Sequence, residues 1–252
     1  MTDAALLSLV ADLARRAGSS ILAIRARGFE VLAKADASPV TAADHAAETL
    51  ILEGLRAATP DIPVIAEEEV AAGKRTPVAD AFWLVDPLDG TREFSAGFDE
   101  FTVHVGLVRQ GRPVLGVVGV PALGELFGGV VGGGAWKRTT AGEQPIRVRD
   151  VPEAGIAVVA SRHHANDARL ESFLAGRKVA SVSNIGSGLK FCRVAEGAAD
   201  LYPRFGRTME WDTAGPQAVL EAAGGSVCSL DGRPLRYGKP DWANPPFICT
   251  GR

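Results

Sequence analysis

An apolar run, Phe82-Trp83-Leu84-Val85, leads into two aspartates three positions apart, Asp86 and Asp89, and then into Gly90-Thr91. A short stretch of large and β-branched residues that ends at turn chemistry reads as a buried strand. Pro87 lacks the N–H that a central ladder needs, so the strand is expected to stop at about Asp86, with Asp89 in the turn. Two carboxylates this close repel, and the cost is tolerated best with a hard cation between them. Gly90 lets backbone approach a ligand, and the N–H groups of Gly90 and Thr91 are available to an anion. The competing account is a surface turn, because Asp, Pro and Gly are ordinary turn residues.

The flanking segments supply a scaffold. Leu6, Leu9, Val10, Leu13, Ala17, Ile21 and Ile24 form one stripe at helical spacing, so residues 6–27 are expected as a core-facing helix. Thr41 with Asp44 three residues on fits a capping box at the head of a second helix ending near Ala58. The same Asp44 carboxylate is also available to a site. Ile62 to Ile65 reads as a short strand followed by Ala66-Glu67-Glu68-Glu69, where Glu69 suits a solvated face and Glu67 projects from the strand end. Residues 101–134 alternate apolar stretches with Gly/Pro joints, the punctuation of an antiparallel meander. His104 alternates with apolar neighbours there and is read as a packed or hydrogen-bonded residue outside the site. Gly132-Gly133-Gly134 lacks the Lys-Ser/Thr of a phosphate loop and reads as a turn or bulge.

After Pro152 strands and helices alternate: a strand at 156–159, a helix at 166–175, a strand at 179–182, a helix at 186–196 and a last long helix from Trp211 through Ala223. This sets an N-terminal α+β half, residues 1–149, against a C-terminal α/β half, residues 150–252. Asp212 suits an N-cap. The helix start at Gly186-Ser187-Gly188 favours an anion. Ser161-Arg162-His163-His164 ends a strand, where adjacent side chains point opposite ways. Paired histidines suggest a metal, but the spacing favours polar loop residues, and Arg162 is in reach of a phosphate.

Composition narrows the function classes. A chain of 252 residues with 46% apolar content buries one large core or two joined ones. A net charge of −3 excludes a sequence-independent grip on a nucleic-acid polymer. A phosphate substrate then has to be held by metal and local donors. Cys192, Cys228 and Cys249 lack metal-site spacing and read as free thiols of a reducing compartment. With no basic-then-apolar leader and no apolar run near roughly 20 residues, the expectation is a cytoplasmic protein without a transmembrane segment. Peripheral membrane association stays open, as does the choice between monomer and homodimer.

Four segments together resemble a known family. Asp86-Pro87-Leu88-Asp89-Gly90-Thr91 after a Trp-led strand, Ala66-Glu67-Glu68, Pro39-Val40-Thr41-Ala42-Ala43-Asp44 and Trp211-Asp212-Thr213-Ala214 are similar to the motifs of the inositol monophosphatase superfamily, Mg²⁺-dependent and lithium-sensitive phosphatases. Ala66 stands where Gly or Ser is usual. The resemblance implies an α/β (α+β) fold, the layered α/β/α/β/α sandwich of the sugar phosphatases, with two or three Mg²⁺ ions per active site. It implies that Asp86 bridges two metals, that Glu67 and the Leu88 carbonyl complete the first site, and that Asp89 and Asp212 complete the second. Glu67 with Thr91 would orient the attacking water, Asp44 would lie near the metals, and the Gly90 and Thr91 N–H groups would hold phosphate oxygens. The chemistry agrees: Mg²⁺ is hard and prefers oxygen, and no His/Cys set argues for zinc. Two such ions about 3.5–4 Å apart activate a water and stabilise the leaving oxygen of an in-line displacement.

Within the superfamily, Gly186-Ser187-Gly188-Leu189-Lys190-Phe191-Cys192, Ala195-Glu196-Gly197 and Leu201-Tyr202-Pro203-Arg204-Phe205-Gly206 look most like the bacterial 3′(2′),5′-bisphosphate nucleotidases, and Ser161-Arg162-His163 fits that branch. This implies a small-molecule substrate, adenosine 3′,5′-bisphosphate, a by-product of sulfate assimilation, with Ser187, Lys190 and Arg204 among the residues that bind it. A bisphosphate needs cations away from the metals, and Lys190, Arg204 and Arg207 are the candidates. Gly188 stands where Ser is common, and Arg207 where Pro is expected. The alternative is an inositol-, histidinol- or sugar-phosphate phosphatase with the same metals. A different class is an inactive metal-binding regulatory protein.

Overall fold

The structure is a computed structural model that describes residues 1–33, 39–162 and 168–251. Helix α1 (Asp3–Arg27) is capped by Thr2, and its stripe from Leu6 to Ile21 is buried as the spacing requires. A two-stranded ribbon, β1 (Val31–Ala33) and β2 (Pro39–Thr41), precedes α2 (Ala42–Ala58). Then come β3 (Val64–Ala66), α3 (Glu67–Ala71), β4 (Ala81–Asp89) and α4 (Thr91–Ser95). The meander follows as β5 (Thr102–Arg109), β6 (Arg112–Val120), β7 (Glu125–Val130), β8 (Gly134–Thr139) and β9 (Gly142–Ile146). With β3 parallel to β4 and the rest antiparallel, these strands form one sheet in the order β3-β4-β5-β6-β7-β8-β9.

The remainder runs β10 (Ile156–Ser161), α5 (Ala168–Leu174), β11 (Val179–Ile185), α6 (Leu189–Ala195), β12 (Leu201–Arg204), β13 (Thr208–Met209), α7 (Glu210–Ala222), β14 (Ser226–Ser229), β15 (Ala243–Asn244) and β16 (Phe247–Thr250). The second sheet has the order β11-β10-β12-β16-β14, with β10 parallel to both neighbours.

The layers follow from connectivity. Helices α1 and α2 pack on the first sheet, and α7 packs on its strands β4 to β7. Helix α6 touches α7 as well as β10, β12 and β16, so α6 and α7 lie between the two sheets. The chain steps from β10 to β11 on one side and then to β12 on the other. Right-handed crossovers in opposite directions put α5 and α6 on opposite faces, which makes α5 the outer layer. The result is the α/β/α/β/α sandwich that the resemblance implied. Along β4, Phe82 and Leu84 join the core on the α7 side, while Trp83 and Val85 join the core under α1 and α2. Alternation then carries Asp86 to the α7 side.

Three local expectations need correction. Strand β4 does not stop at Asp86 but continues through Pro87 to Asp89. Asp86 pairs with His104 and Asp89 with Thr102, so β4 carries one extra residue there, a bulge. Pro87 and Leu88 fall in the unpaired stretch, where a missing N–H breaks no ladder bond. Asp212 is not the cap of the last helix; Met209 is, and Asp212 sits three residues on with its carboxylate accepting from Met209 N at 2.8 Å. Helix α6 starts at Leu189, leaving Gly186 to Gly188 in the preceding turn. His163 and His164, and the start expected for α5, lie outside the described residues. The three cysteines form no disulfide, and among the described residues no helix is long and apolar enough to cross a membrane.

Helix α7 is seated on bare backbone. A Cβ at Gly106 would lie 2.5 Å from Gly215 N, and one at Gly116 would lie 2.5 Å from Gly215 O. Because the obstacle is backbone, Gly116→Ala must displace the helix. It is expected to cost on the order of 1–3 kcal/mol, read from the urea midpoint; an unchanged midpoint would refute this seating.

Candidate active site

Three carboxylates converge from distant segments. Glu67 is the first residue of α3, Asp86 enters the β4 bulge, and Asp212 lies in the first turn of α7. Each offers an oxygen, and the three oxygens lie within 4.8 Å of one another. The Asp212 carboxyl is pushed well above its usual range by burial first, and then by the negative charge of Asp89 and Glu67. Carboxylates crowded in this way call for a cation, and an all-oxygen set fits a hard divalent ion such as Mg²⁺. Asp86 is buried, and its Oδ1 accepts from Leu88 N at 3.0 Å.

Asp44 forms the expected capping box and also contacts Thr91. Its Oδ2 accepts from Thr41 N and Thr41 Oγ1 at 2.7 Å each, while Ala43 N donates to Thr41 Oγ1 at 3.1 Å, completing the capping box. Its Oδ1 lies 3.1 Å from Thr91 Oγ1, which is also 3.2 Å from the Leu88 carbonyl. One oxygen starts a helix and the other fixes Thr91. Gly90 precedes α4 with φ +89°, a left-handed conformation that favours glycine.

Asp89 stands apart from the three-carboxylate cluster. Its Oδ2 accepts from Gly188 N and from Thr102 Oγ1 at 3.3 Å, with His104 Nε2 at 3.6 Å. Asp89 and Asp212 line both of two adjoining cavities. The larger, about 620 Å³, is also bounded by Glu67, Asp86, Thr91, Arg92 and Arg207. The smaller, about 190 Å³, is bounded by Ser187, Lys190, Tyr202 and Arg204.

The cations expected to meet the substrate are held differently from one another. The Lys190 ammonium is buried, donating to the Ser187 and Ile185 carbonyls at 2.6 and 3.1 Å, so it fastens the turn before α6. Burial lowers its pKa to about 8, against the pull of Asp89. Arg204 Nη2 donates to the Arg207 carbonyl at 3.2 Å, and its Nε is buried with no hydrogen-bond partner among the described residues. Ser187 adopts φ +50°, and its Oγ accepts from Leu189 N at 3.4 Å. Arg162, expected to reach a phosphate, is instead committed to Glu100 at 2.6 Å and stacks over Phe98.

Sequence reasoning missed Glu48, although a carboxylate on the buried stripe of α2 was a visible signal. Its Oε2 accepts from Glu68 N at 2.8 Å and so holds the first turn of α3, which begins with Glu67. Burial raises the Glu48 pKa from 4.5 to about 7. A carboxyl whose folded pKa exceeds its unfolded value stabilises the fold at low pH, and that contribution is lost as pH rises from about 4.5 to about 7. Glu48→Gln keeps the acceptor and removes the charge. Its stability relative to the wild type is expected to improve by roughly 3 kcal/mol between pH 4 and pH 8, measured by denaturation in the presence of a chelator. A gap that does not change with pH would refute the assignment.

A profile of the inositol monophosphatase family matches residues 4–250. The 3′(2′),5′-bisphosphate nucleotidase CysQ of Escherichia coli O157:H7 is 46% identical over 245 residues, 96% of this chain and 98% of that protein. CysQ of Salmonella typhimurium strain LT2 is 46% identical over 248 residues, 97% of this chain and 99% of its own. Among solved structures, CysQ from Bacteroides thetaiotaomicron, a bacterial member of the same family, aligns with a TM-score of 0.80 at 36% identity over 97% of both chains. An inositol monophosphatase from Zymomonas mobilis aligns with a TM-score of 0.81 at 25% identity, over 100% of this chain and 94% of its own. The match spans all three elements that carry the carboxylate cluster, α3, β4 and α7, and this chain belongs to the inositol monophosphatase family.

Proposed function

We propose that this chain is a Mg²⁺-dependent phosphatase that removes the 3′-phosphate of adenosine 3′,5′-bisphosphate, giving AMP and phosphate. The observation that carries this reading is the convergence of Glu67, Asp86 and Asp212 at a cavity adjoining a second one bounded by Lys190 and Arg204. One phosphate at the carboxylates and a second held apart is the pattern a bisphosphate needs. Identity of 46% to a protein named as a bisphosphate nucleotidase favours that substrate over inositol, histidinol or sugar monophosphates. The intact carboxylates and the Thr91–Asp44 contact weigh against an inactive regulatory protein.

In this reading Glu67, Asp86 and the Leu88 carbonyl would hold one Mg²⁺, and Asp86, Asp89 and Asp212 would hold a second. When bound, the ions supply a polarised water and charge neutralisation at phosphorus. The remaining chemistry belongs to the protein. Asp44 accepts the Thr91 hydroxyl hydrogen, which leaves a lone pair on Thr91 Oγ1 for the attacking water. That water loses a proton toward the Thr91–Asp44 pair, with Glu67 orienting it. Its oxygen forms the new bond to phosphorus as the bond to the ribose 3′-oxygen breaks, and the 3′-oxygen takes up a proton. Gly90 and Thr91 N–H groups donate to phosphate oxygens, while Ser187 and Arg204 face the rest of the substrate and Lys190, at the same cavity, holds the turn that carries Ser187. Residues 1–149 thus hold most of the metal ligands, and residues 150–252 the substrate residues and Asp212. We assign the enzyme to sulfur metabolism in the cytoplasm.

The test is phosphate release with Mg²⁺ from adenosine 3′,5′-bisphosphate, inositol 1-phosphate, fructose 1,6-bisphosphate and histidinol phosphate. The nucleotide is expected to give the highest kcat/KM, and Asp86→Asn to lose at least the roughly hundred-fold that loss of an outer-shell partner costs, with the fold retained. A preference for a monophosphate would keep the site and sink the nucleotidase. Lithium is expected to inhibit through the second cation position; an insensitive enzyme would count against the geometry assigned to that position.

A further inference from the structure

His104 is completely buried on β5, and with Thr102 two residues before it shares the sheet face toward α7. Its Nε2 lies 2.7 Å from Thr102 Oγ1 and 3.6 Å from Asp89 Oδ2. Thr102 Oγ1 is itself 3.3 Å from that same oxygen, and Gly188 N donates to it from the turn before α6. A hydroxyl carries one hydrogen and a carboxylate only accepts. With the ring donating from Nε2 to Thr102 Oγ1, the tautomer on which the role of His104 rests, the Thr102 hydrogen goes to Asp89. Oδ2 is engaged by donors from both halves of the chain. Asp89 Oδ1 has no donor among the described residues, and Asp89 lines both cavities.

Gly188 completes the arrangement. Its backbone, at φ −67° and ψ −5°, is one that any residue adopts. A Cβ there would overlap His104 Nε2 and lie 2.5 Å from Cε1, with Pro216 Cγ at 3.2 Å. The glycine is dictated by the neighbouring ring, not by its own conformation. Its N–H also has to approach Asp89 closely, which a side chain pressed against His104 would prevent.

We propose that His104 is a positioning residue. Through Thr102, and in company with Gly188, it fixes the Asp89 carboxylate so that one oxygen is left for a divalent cation, and the missing side chain at Gly188 is what admits the ring. This rests on Asp89 acting as a metal ligand in the function proposed above. An outer-shell partner of a ligand is typically worth ten- to hundred-fold in metal affinity.

The experiment is Mg²⁺ titration by calorimetry on the purified chain, together with thermal midpoints. His104→Leu fills the space without a donor and is expected to weaken Mg²⁺ binding roughly ten- to hundred-fold. His104→Gln keeps an N–H donor and is expected to recover most of that loss. Gly188→Ser is expected to lower the midpoint in the wild type and to cost nothing further in a His104→Ala background, where the ring is gone. The proposal is overturned if His104→Leu binds Mg²⁺ like the wild type while Asp89→Asn has lost it. Equal destabilisation by Gly188→Ser in both backgrounds overturns the pairing of ring and glycine. If Asp89→Asn itself binds Mg²⁺ normally, the ligand role of Asp89 falls, and the positioning role falls with it.

Discussion

Mutual repulsion among carboxylates is the constraint under which this fold is built. Glu67, Asp86 and Asp212 come from α3, β4 and α7, and nothing local in the sequence holds them together. Their approach depends on rigid supports. Helix α7 rests on bare glycine backbone, α3 is tied down by Glu48, and β4 is buried on both faces. A recurring pattern lessens the electrostatic cost. Asp44, Asp86, Asp89 and Asp212 each accept a backbone N–H, from Thr41, Leu88, Gly188 and Met209 respectively. Such charge-assisted bonds are strong, and in Asp44 they leave the second oxygen to Thr91.

The overall negative charge of the chain makes sense in the same terms. A polyanionic substrate gains no long-range attraction from a net charge of −3. In the proposed function attraction has to be local, supplied by the cations assigned to the carboxylates and by side chains such as Arg204 at the adjoining cavity. Lys190 is the informative case. Its ammonium faces backbone carbonyls and its charge is disfavoured by burial, so it acts first on the shape of the turn that carries Ser187 and Gly188.

Much of this was legible in the sequence because the decisive features are local. Apolar spacing gave α1, Gly/Pro punctuation gave the meander, and Thr41 with Asp44 announced a capping box that formed as written. The errors share one cause. Pro87 argues against a regular ladder, and only the register with β5 reveals a bulge that accommodates it. Asp212 looks like a cap until Met209 is seen to occupy that position. Arg162 pairs with Glu100, which is not near it in sequence. Thr102 and His104 did leave a trace: two polar residues on one face of an otherwise apolar strand. Which carboxylate they served depended on the fold.

The bulge in β4 has a consequence of parity. In a regular strand, residues three apart point to opposite faces. Here Asp86 and Asp89 stand opposite His104 and Thr102, two residues that share a face, so the extra residue turns both aspartates to the same side. The length of the Pro87-Leu88 insert is therefore as restrictive as its chemistry. Losing or gaining a single residue there would swing one carboxylate into the apolar layer beneath α1 and α2. A frame-preserving change of one codon in this segment would act like deletion of an aspartate, with every acidic side chain still present in the chain.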